Sequence, residues 1–169
     1  MKGPSMKYMV LVIVLLCSLQ SAEAQVGVPN QDRPKELEQA VFGLGFATGY
    51  VSGFGLSFRH HLAAPFSYQL VGGIIKIDEK LYYNIGSELQ YDLSRGETTR
   101  FYACGGMGYF YSGESGNNDL DGPFRAGLGI GVEKSRIEAF SFSADLMFSY
   151  FSDGTVLPLP QVGVHYYFY

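Results

Sequence analysis

The sequence predicts an all-β fold, an eight-stranded antiparallel up-and-down transmembrane β-barrel. The first observation is period-two alternation of apolar and polar residues from Val41 to the end, broken only by turn residues, which marks half-buried strands. The second is that large apolar side chains share one face of each segment while Gly, Ser and charged residues share the other. The third is composition. The 169 residues include 22 Gly, 13 Phe and 13 Tyr but no Trp, and only 17% are charged, below the usual ~25%. A net charge of -4 offers no basic field, so no nucleic-acid partner is expected. A hydrophobic content of 47% excludes intrinsic disorder.

The N-terminus reads as a leader. Lys2 and Lys7 precede an apolar run from Tyr8 to Leu16, followed by Ala22-Glu23-Ala24, an A-x-A cleavage pattern. The run is shorter than the ~20 apolar residues a membrane-spanning helix needs. Residues 1–24 are therefore expected to be a signal peptide, with the mature chain starting at Gln25. Lipidation of Cys17 is disfavoured because Leu16 before it is not small. Cys17 leaves with the leader, so Cys104 stays alone and no intramolecular disulfide forms. Residues 25–40 are polar, carry Pro29 and Pro34, and read as a short periplasmic linker. The barrel is expected over 41–169.

Eight strands are expected at about 41–48, 53–62, 66–76, 81–93, 100–111, 124–133, 138–150 and 160–169. The third is irregular at Gly72-Gly73, where a bulge is expected. The fourth sets Leu81, Tyr83, Ile85, Leu89 and Tyr91 against Tyr82, Asn84, Gly86, Glu88, Gln90 and Asp92. In the fifth, Cys104 beside Gly105 and Gly106 reads as a small inward packer. The sixth opposes Phe124, Ala126, Leu128, Ile130 and Val132 to Arg125, Gly127, Gly129, Gly131 and Glu133. The seventh and eighth repeat this, ending with Val162, Val164, Tyr166 and Phe168 against Gln161, Gly163, His165 and Tyr167. The links Ala63–Pro65, Ser94–Thr99 and Lys134–Ile137 are short and share one end with the termini, as in a meander.

The apolar face is expected outside. An eight-stranded interior is just wide enough for side chains to fill, which suits Gly and Ser and would be overfilled by Phe, Tyr and Leu. Strand length matches the ~9–11 residues of a tilted membrane strand, and closure satisfies backbone polar groups in lipid. The lipid-facing set is Phe54, Leu56, Phe58, Tyr83, Leu89, Leu128, Ile130, Phe140, Phe142, Phe148, Val164 and Phe168. Tyr83, Tyr91, Tyr109 and Tyr150 lie toward strand ends, where aromatic girdles sit.

The segments Phe54-Gly55-Leu56-Ser57-Phe58, Gly86-Ser87-Glu88-Leu89-Gln90-Tyr91, Gly127-Leu128-Gly129-Ile130-Gly131 and His165-Tyr166-Tyr167-Phe168 resemble the small outer membrane beta-barrel domain proteins, the OmpA/OmpX-like group. The resemblance covers about residues 41–169. It implies the outer membrane of a Gram-negative-type bacterium, reached by signal-peptide export. It also implies contact with outer-membrane lipids and lipopolysaccharide, and insertion by the barrel-assembly machinery. Family members often end on a lipid-facing aromatic that this machinery reads; here Phe168 is penultimate and Tyr169 follows.

The inward register carries Arg59, Arg100 and Arg125 with Glu88, Asp92, Glu133 and Asp145. In a narrow low-dielectric space such charges are expected to pair. That makes a salt-bridged plug, the alternative being a gated ion path or proton relay. His61 and His165 also face inward near the termini end; two ligands without a third do not make a metal site, so they are expected to join the network. His60 is expected at the interface. Ser57 lies close to Arg59 and His61 on one face, the nearest approach to a nucleophile, but no Gly-x-Ser-x-Gly elbow is present. Glu114, Asp119 and Asp121 in the Ser112–Pro123 loop lack the spacing of a calcium loop. No catalytic residue, cofactor or metal is expected. The expected function is a non-enzymatic structural or surface-interaction barrel with a plugged polar lumen. The alternatives are a lipid-modifying outer-membrane enzyme and a soluble periplasmic lipocalin-like binding barrel.

Overall fold

The computed structural model of the protein describes residues 40–96, 98–114, 118–137 and 140–168. The expected signal peptide, residues 25–39 of the expected linker, and Tyr169 lie outside the described residues. Eight strands follow one another: β1 Val41–Gly49, β2 Gly53–His61, β3 Phe66–Ile77, β4 Lys80–Arg95, β5 Thr99–Gly113, β6 Phe124–Ile137, β7 Phe140–Phe151 and β8 Val156–Phe168. Each pairs antiparallel with its neighbours, and β1 closes on β8 with Phe42 opposite Phe168 and Gly49 opposite Gln161. Closure follows from the alternation. A sheet whose outer face is apolar and whose edges are unpaired has no stable place in lipid, and pairing the first strand with the last removes both edges.

The interior is polar and the exterior apolar. Arg59, Gln69, Gln90, Glu133, Ser141 and His165 are buried, while Leu44, Phe46, Leu56, Ile85, Leu89, Leu128 and Phe148 are exposed. A lipocalin-like barrel needs the reverse, so that alternative is set aside. The fold is that of a transmembrane barrel.

Three local expectations are corrected. β8 begins at Val156 instead of 160, and β6 runs on to Ile137 through the segment expected as a link. Register shifts fall at Asp92/Ser94 and Ser135/Ile137, near the termini end, while Gly72 and Gly73 pair regularly with Ile85 and Asn84. Those two glycines are small for a different reason. β2 leaves the ladder after Leu56 pairs with Gly72, and the Phe54–Gly55 backbone then passes so close that a Cβ at Gly73 would meet the carbonyl oxygen of Phe54. Gly53 and Gly55 carry this bend at φ of 104° and 124°, a region closed to most side chains.

The bend has a large consequence. β1 and β2 have 9 residues each against 12 to 16 in the other strands, and their connecting turn folds into the barrel. Val51 is 0% exposed and Ser52 2%. The wall beside the short hairpin is left open at the far end. Residues Gly73–Ile77 of β3 have no partner on the β2 side, and Val156–Pro160 of β8 have none on the β1 side. Pro158 and Pro160 suit that bare edge because they have no backbone N–H to leave unpaired.

Candidate functional site

The lumen is filled at two levels. Toward the termini end, Glu133 of β6 is the hub. It accepts from Arg59 Nη1 of β2 at 2.9 Å and Arg100 Nε of β5 at 2.7 Å, both on Oε2. On Oε1 it accepts from Ser141 and Tyr167, each at 2.5 Å. Arg59 also donates to Gln69 Oε1 at 2.8 Å and Ser143 Oγ at 3.1 Å. Arg100 reaches Asp92 Oδ1 at 2.7 Å and Gln90 Oε1. Arg95 closes the other side of Asp92, with Nε 2.7 Å from Oδ2. Charge-assisted bonds of this kind are what make burial of ions tolerable.

The histidines are fixed by the same bonds. Tyr167 gives its hydroxyl proton to Glu133, so it accepts from His61 Nε2 at 2.8 Å. The His61 Nδ1 meets Ser67 Oγ at 2.6 Å, and Ser67 also accepts from Arg100 at 3.3 Å. The Tyr167 bond places a proton on His61 Nε2. His165 meets Ser57 Oγ at 2.8 Å through Nε2, while its Nδ1 has no partner among the described residues. Ser57 therefore contacts His165 rather than His61. A nucleophile and base are adjacent, but the acid that would orient the imidazole is missing and both side chains are buried.

The far level is built around the β1–β2 turn. Gln161 Oε1 of β8 accepts from the Val51 and Ser52 backbone N–H groups at 3.3 and 2.9 Å, and from Ser52 Oγ at 2.9 Å. Its Nε2 donates to Glu88 Oε2 at 3.0 Å. Asn84 of β4 takes the place of a ladder partner for Phe54, accepting from its N–H and donating to its carbonyl, both at 2.9 Å. Val51 packs with Tyr102, Cys104 and Met147. Beneath the turn the wall is glycine. A Cβ at Gly127 would stand 3.1 Å from Val51 Cγ2, and Cβ atoms at Gly86 and Gly108 would meet the carbonyl oxygens of Ser52 and Val51.

Of the residues expected in the lumen, Arg59, His61, Asp92, Arg100 and Glu133 are joined in one network. His165 is buried against Ser57. Glu88 and Asp145 are buried in the far level and meet no guanidinium; Gln90 donates to Glu88 at 2.7 Å, and Tyr102 donates to Asp145. Arg125 is a correction. It sits over the mouth, its guanidinium 3.9 Å from the Phe110 ring centroid, and donates to the Tyr50 carbonyl at 3.2 Å. The register was right for a lumen residue, but the infolded turn occupies the space below it. Arg95, in a segment expected to end before it, takes its place in the charge balance. Gln90, Gln161 and Tyr167 stand on the expected inward face without being expected in the network, and Gln69 and Tyr102 are not among the expected residues although their parity is inward; Val51 and Ser52 carry no such signal because they lie in a turn.

The residues expected to face lipid all point outward. Leu56, Leu89, Leu128, Ile130, Phe140, Phe142, Phe148, Val164 and Phe168 are exposed. Phe54, Phe58 and Tyr83 are half-buried. Neighbouring outward rings cover two of these, with Phe42 6.1 Å from Phe58 and Tyr111 4.7 Å from Tyr83. His60 joins this belt, stacked on Phe42 at 4.2 Å. Ser87, Gly105 and Ala126 form a shallow outward depression between Leu89, Leu128 and Phe148. In the Ser112–Pro123 loop, Asn118 ties Ser112 and Leu120 together and Asp119 pairs with Lys80 at 3.3 Å.

The architecture and the inverted polarity together define an eight-stranded outer-membrane-type barrel. Comparison with solved structures agrees. The N-terminal β-barrel domain of OprF from Pseudomonas aeruginosa is similar at 18% identity and a TM-score of 0.54, over 76% of this chain and 96% of that one. The attachment invasion locus protein Ail of Yersinia pestis matches at 15% identity and a TM-score of 0.48, over 78% and 100%. A major outer membrane protein from Thermus thermophilus matches at 14% and 0.48, over 76% and 99%. No family model and no curated protein sequence matches the chain. The likeness shown is one of fold, that of the small eight-stranded outer-membrane barrels.

Proposed function

We propose that the protein is a non-enzymatic outer-membrane barrel with a closed lumen, working through its wall and its far rim as a structural or surface-contact element. The observation that carries this reading is the double filling of the lumen: a five-ion network at one level and an infolded hairpin turn at the other. An eight-stranded barrel has little interior to spare, and these side chains occupy it. The buried Ser57–His165 pair without an acid counts against the lipid-modifying alternative.

In this reading the leader 1–24 exports the chain and the barrel-assembly machinery inserts it. The apolar belt then rests in outer-membrane lipid, and the rim faces lipopolysaccharide. Planar-bilayer recording on the purified protein tests the closed lumen: no unitary conductance is expected, and sustained ion-selective steps would overturn it. Lipid acylation unchanged by Ser57→Ala is the matching expectation for the absence of enzymatic activity.

A further inference from the structure

Glu88, Asp145 and Cys104 are the chemically active groups of the lumen that the closed-barrel reading leaves unused. One ligand atom from each, two carboxylate oxygens and a thiol sulfur, lie within 4.8 Å of one another. All three residues are buried, Glu88 at 2%, Cys104 at 5% and Asp145 at 8% exposure. The cysteine is the independent observation. Its thiol makes no hydrogen bond among the described residues and lies within 4.8 Å of an oxygen of each carboxylate, while Val51, Tyr102 and Met147 pack around the residue.

Charge sharpens the point. Near the termini end, Arg59, Arg95 and Arg100 face Asp92 and Glu133, one surplus positive charge. At the far level two carboxylates have only neutral donors, the amides of Gln90 and Gln161 and the hydroxyl of Tyr102. Buried carboxylates without a cation are costly. A divalent cation held by both carboxylates and the Cys104 thiolate leaves that group with one net negative charge, which offsets the surplus. On binding, the thiol proton is released to water.

We infer that Glu88, Cys104 and Asp145 form a buried site for a thiophilic divalent cation of the zinc class. A thiolate beside two carboxylates suits zinc, whereas magnesium and calcium take oxygen ligands only. Met147, in the same buried cluster as Cys104, adds a soft side chain nearby. The infolded turn covers the site, so the ion enters as the barrel closes.

The test is refolding of the full chain, carrying Cys17→Ser so that Cys104 is its one thiol, in detergent with Co2+ as probe. One equivalent should be retained, with thiolate-to-cobalt charge-transfer absorption that Cys104→Ser abolishes and Asp145→Asn weakens by about tenfold or more. Failure to retain cobalt, or retention that survives Cys104→Ser, overturns the site. Should either variant fail to give the folded gel band, the unaltered lumen decides. Refolding with Zn2+ is expected to slow maleimide labelling of Cys104 by about tenfold or more relative to refolding with chelator. Equal rates mean that the two carboxylates share a proton instead, and the site is overturned. Conductance is a separate readout, so failure here leaves the closed-barrel reading standing.

Discussion

The two levels of the lumen lie in one barrel and on the same inward register, yet they are filled by opposite means. Near the termini end the strands themselves reach across, with Arg59, Arg100 and Arg95 meeting Glu133 and Asp92 from four different strands. At the far end the wall directly under the turn is glycine at Gly86, Gly108 and Gly127, and the backbone of the β1–β2 turn is brought in to fill the space. Long side chains close the barrel where the wall is rich in them. Where the wall is bare, a segment of main chain closes it and must find acceptors for its own N–H groups. Gln161 and Asn84 provide those partners.

The contrast is broken most severely at Glu133. Glu133→Ala leaves Arg59 and Arg100 buried without their shared carboxylate, and loss of one partner from a buried ion network costs about 3–5 kcal/mol. Urea unfolding of the folded barrel in detergent or lipid should show a loss of that order, and a loss near zero would mean the charges were never desolvated. Gln161→Ala comes next. It strips the acceptor from two N–H groups and a hydroxyl, each abandoned group costing about 1–3 kcal/mol. Hydrogen exchange at Val51 and Ser52 should accelerate, while amides around Arg59 keep their protection; acceleration at both levels would show that the two fillings are one cooperative unit.

Gly108→Val probes the bare wall. Its side chain would collide with the Val51 carbonyl, with an overpacking cost of about 1–3 kcal/mol. The turn should be expelled and Cys104 should label rapidly with maleimide from the outside. Unchanged labelling would show that the turn does not cover Cys104. The smallest effect is expected at the exposed Lys80–Asp119 pair. Lys80→Ala should leave the unfolding midpoint unchanged, because water screens such a pair.

Strand content, parity and polarity were legible because the side-chain period in a strand is fixed at two. Runs such as Phe124 to Glu133 therefore reveal which residues share a face. The same rule gave the inward set, including Glu133 and Asp145, and the outward belt from Leu56 to Phe168. It failed for Arg125, whose parity is inward but whose height in the barrel puts it above the infolded turn. It also failed at Gly72-Gly73, where alternation suggests a bulge and the structure shows a close backbone crossing instead. The Ser57 partner was misplaced for a similar reason. His61 is near it along one strand, but β1 lies between β2 and β8, and its Gly45, paired with both Ser57 and His165, lets those two side chains meet over it.

By itself the sequence determined an eight-stranded barrel with apolar residues outside and charges within, since alternation is a local property that each strand carries alone. The tertiary structure decided the rest: that a nine-residue hairpin bends inward, that glycines of β4, β5 and β6 make its bed, and that Glu88, Cys104 and Asp145 converge beneath it. These contacts join residues of different height and different strands. Only the register of the closed barrel fixes those heights, and no single strand records it.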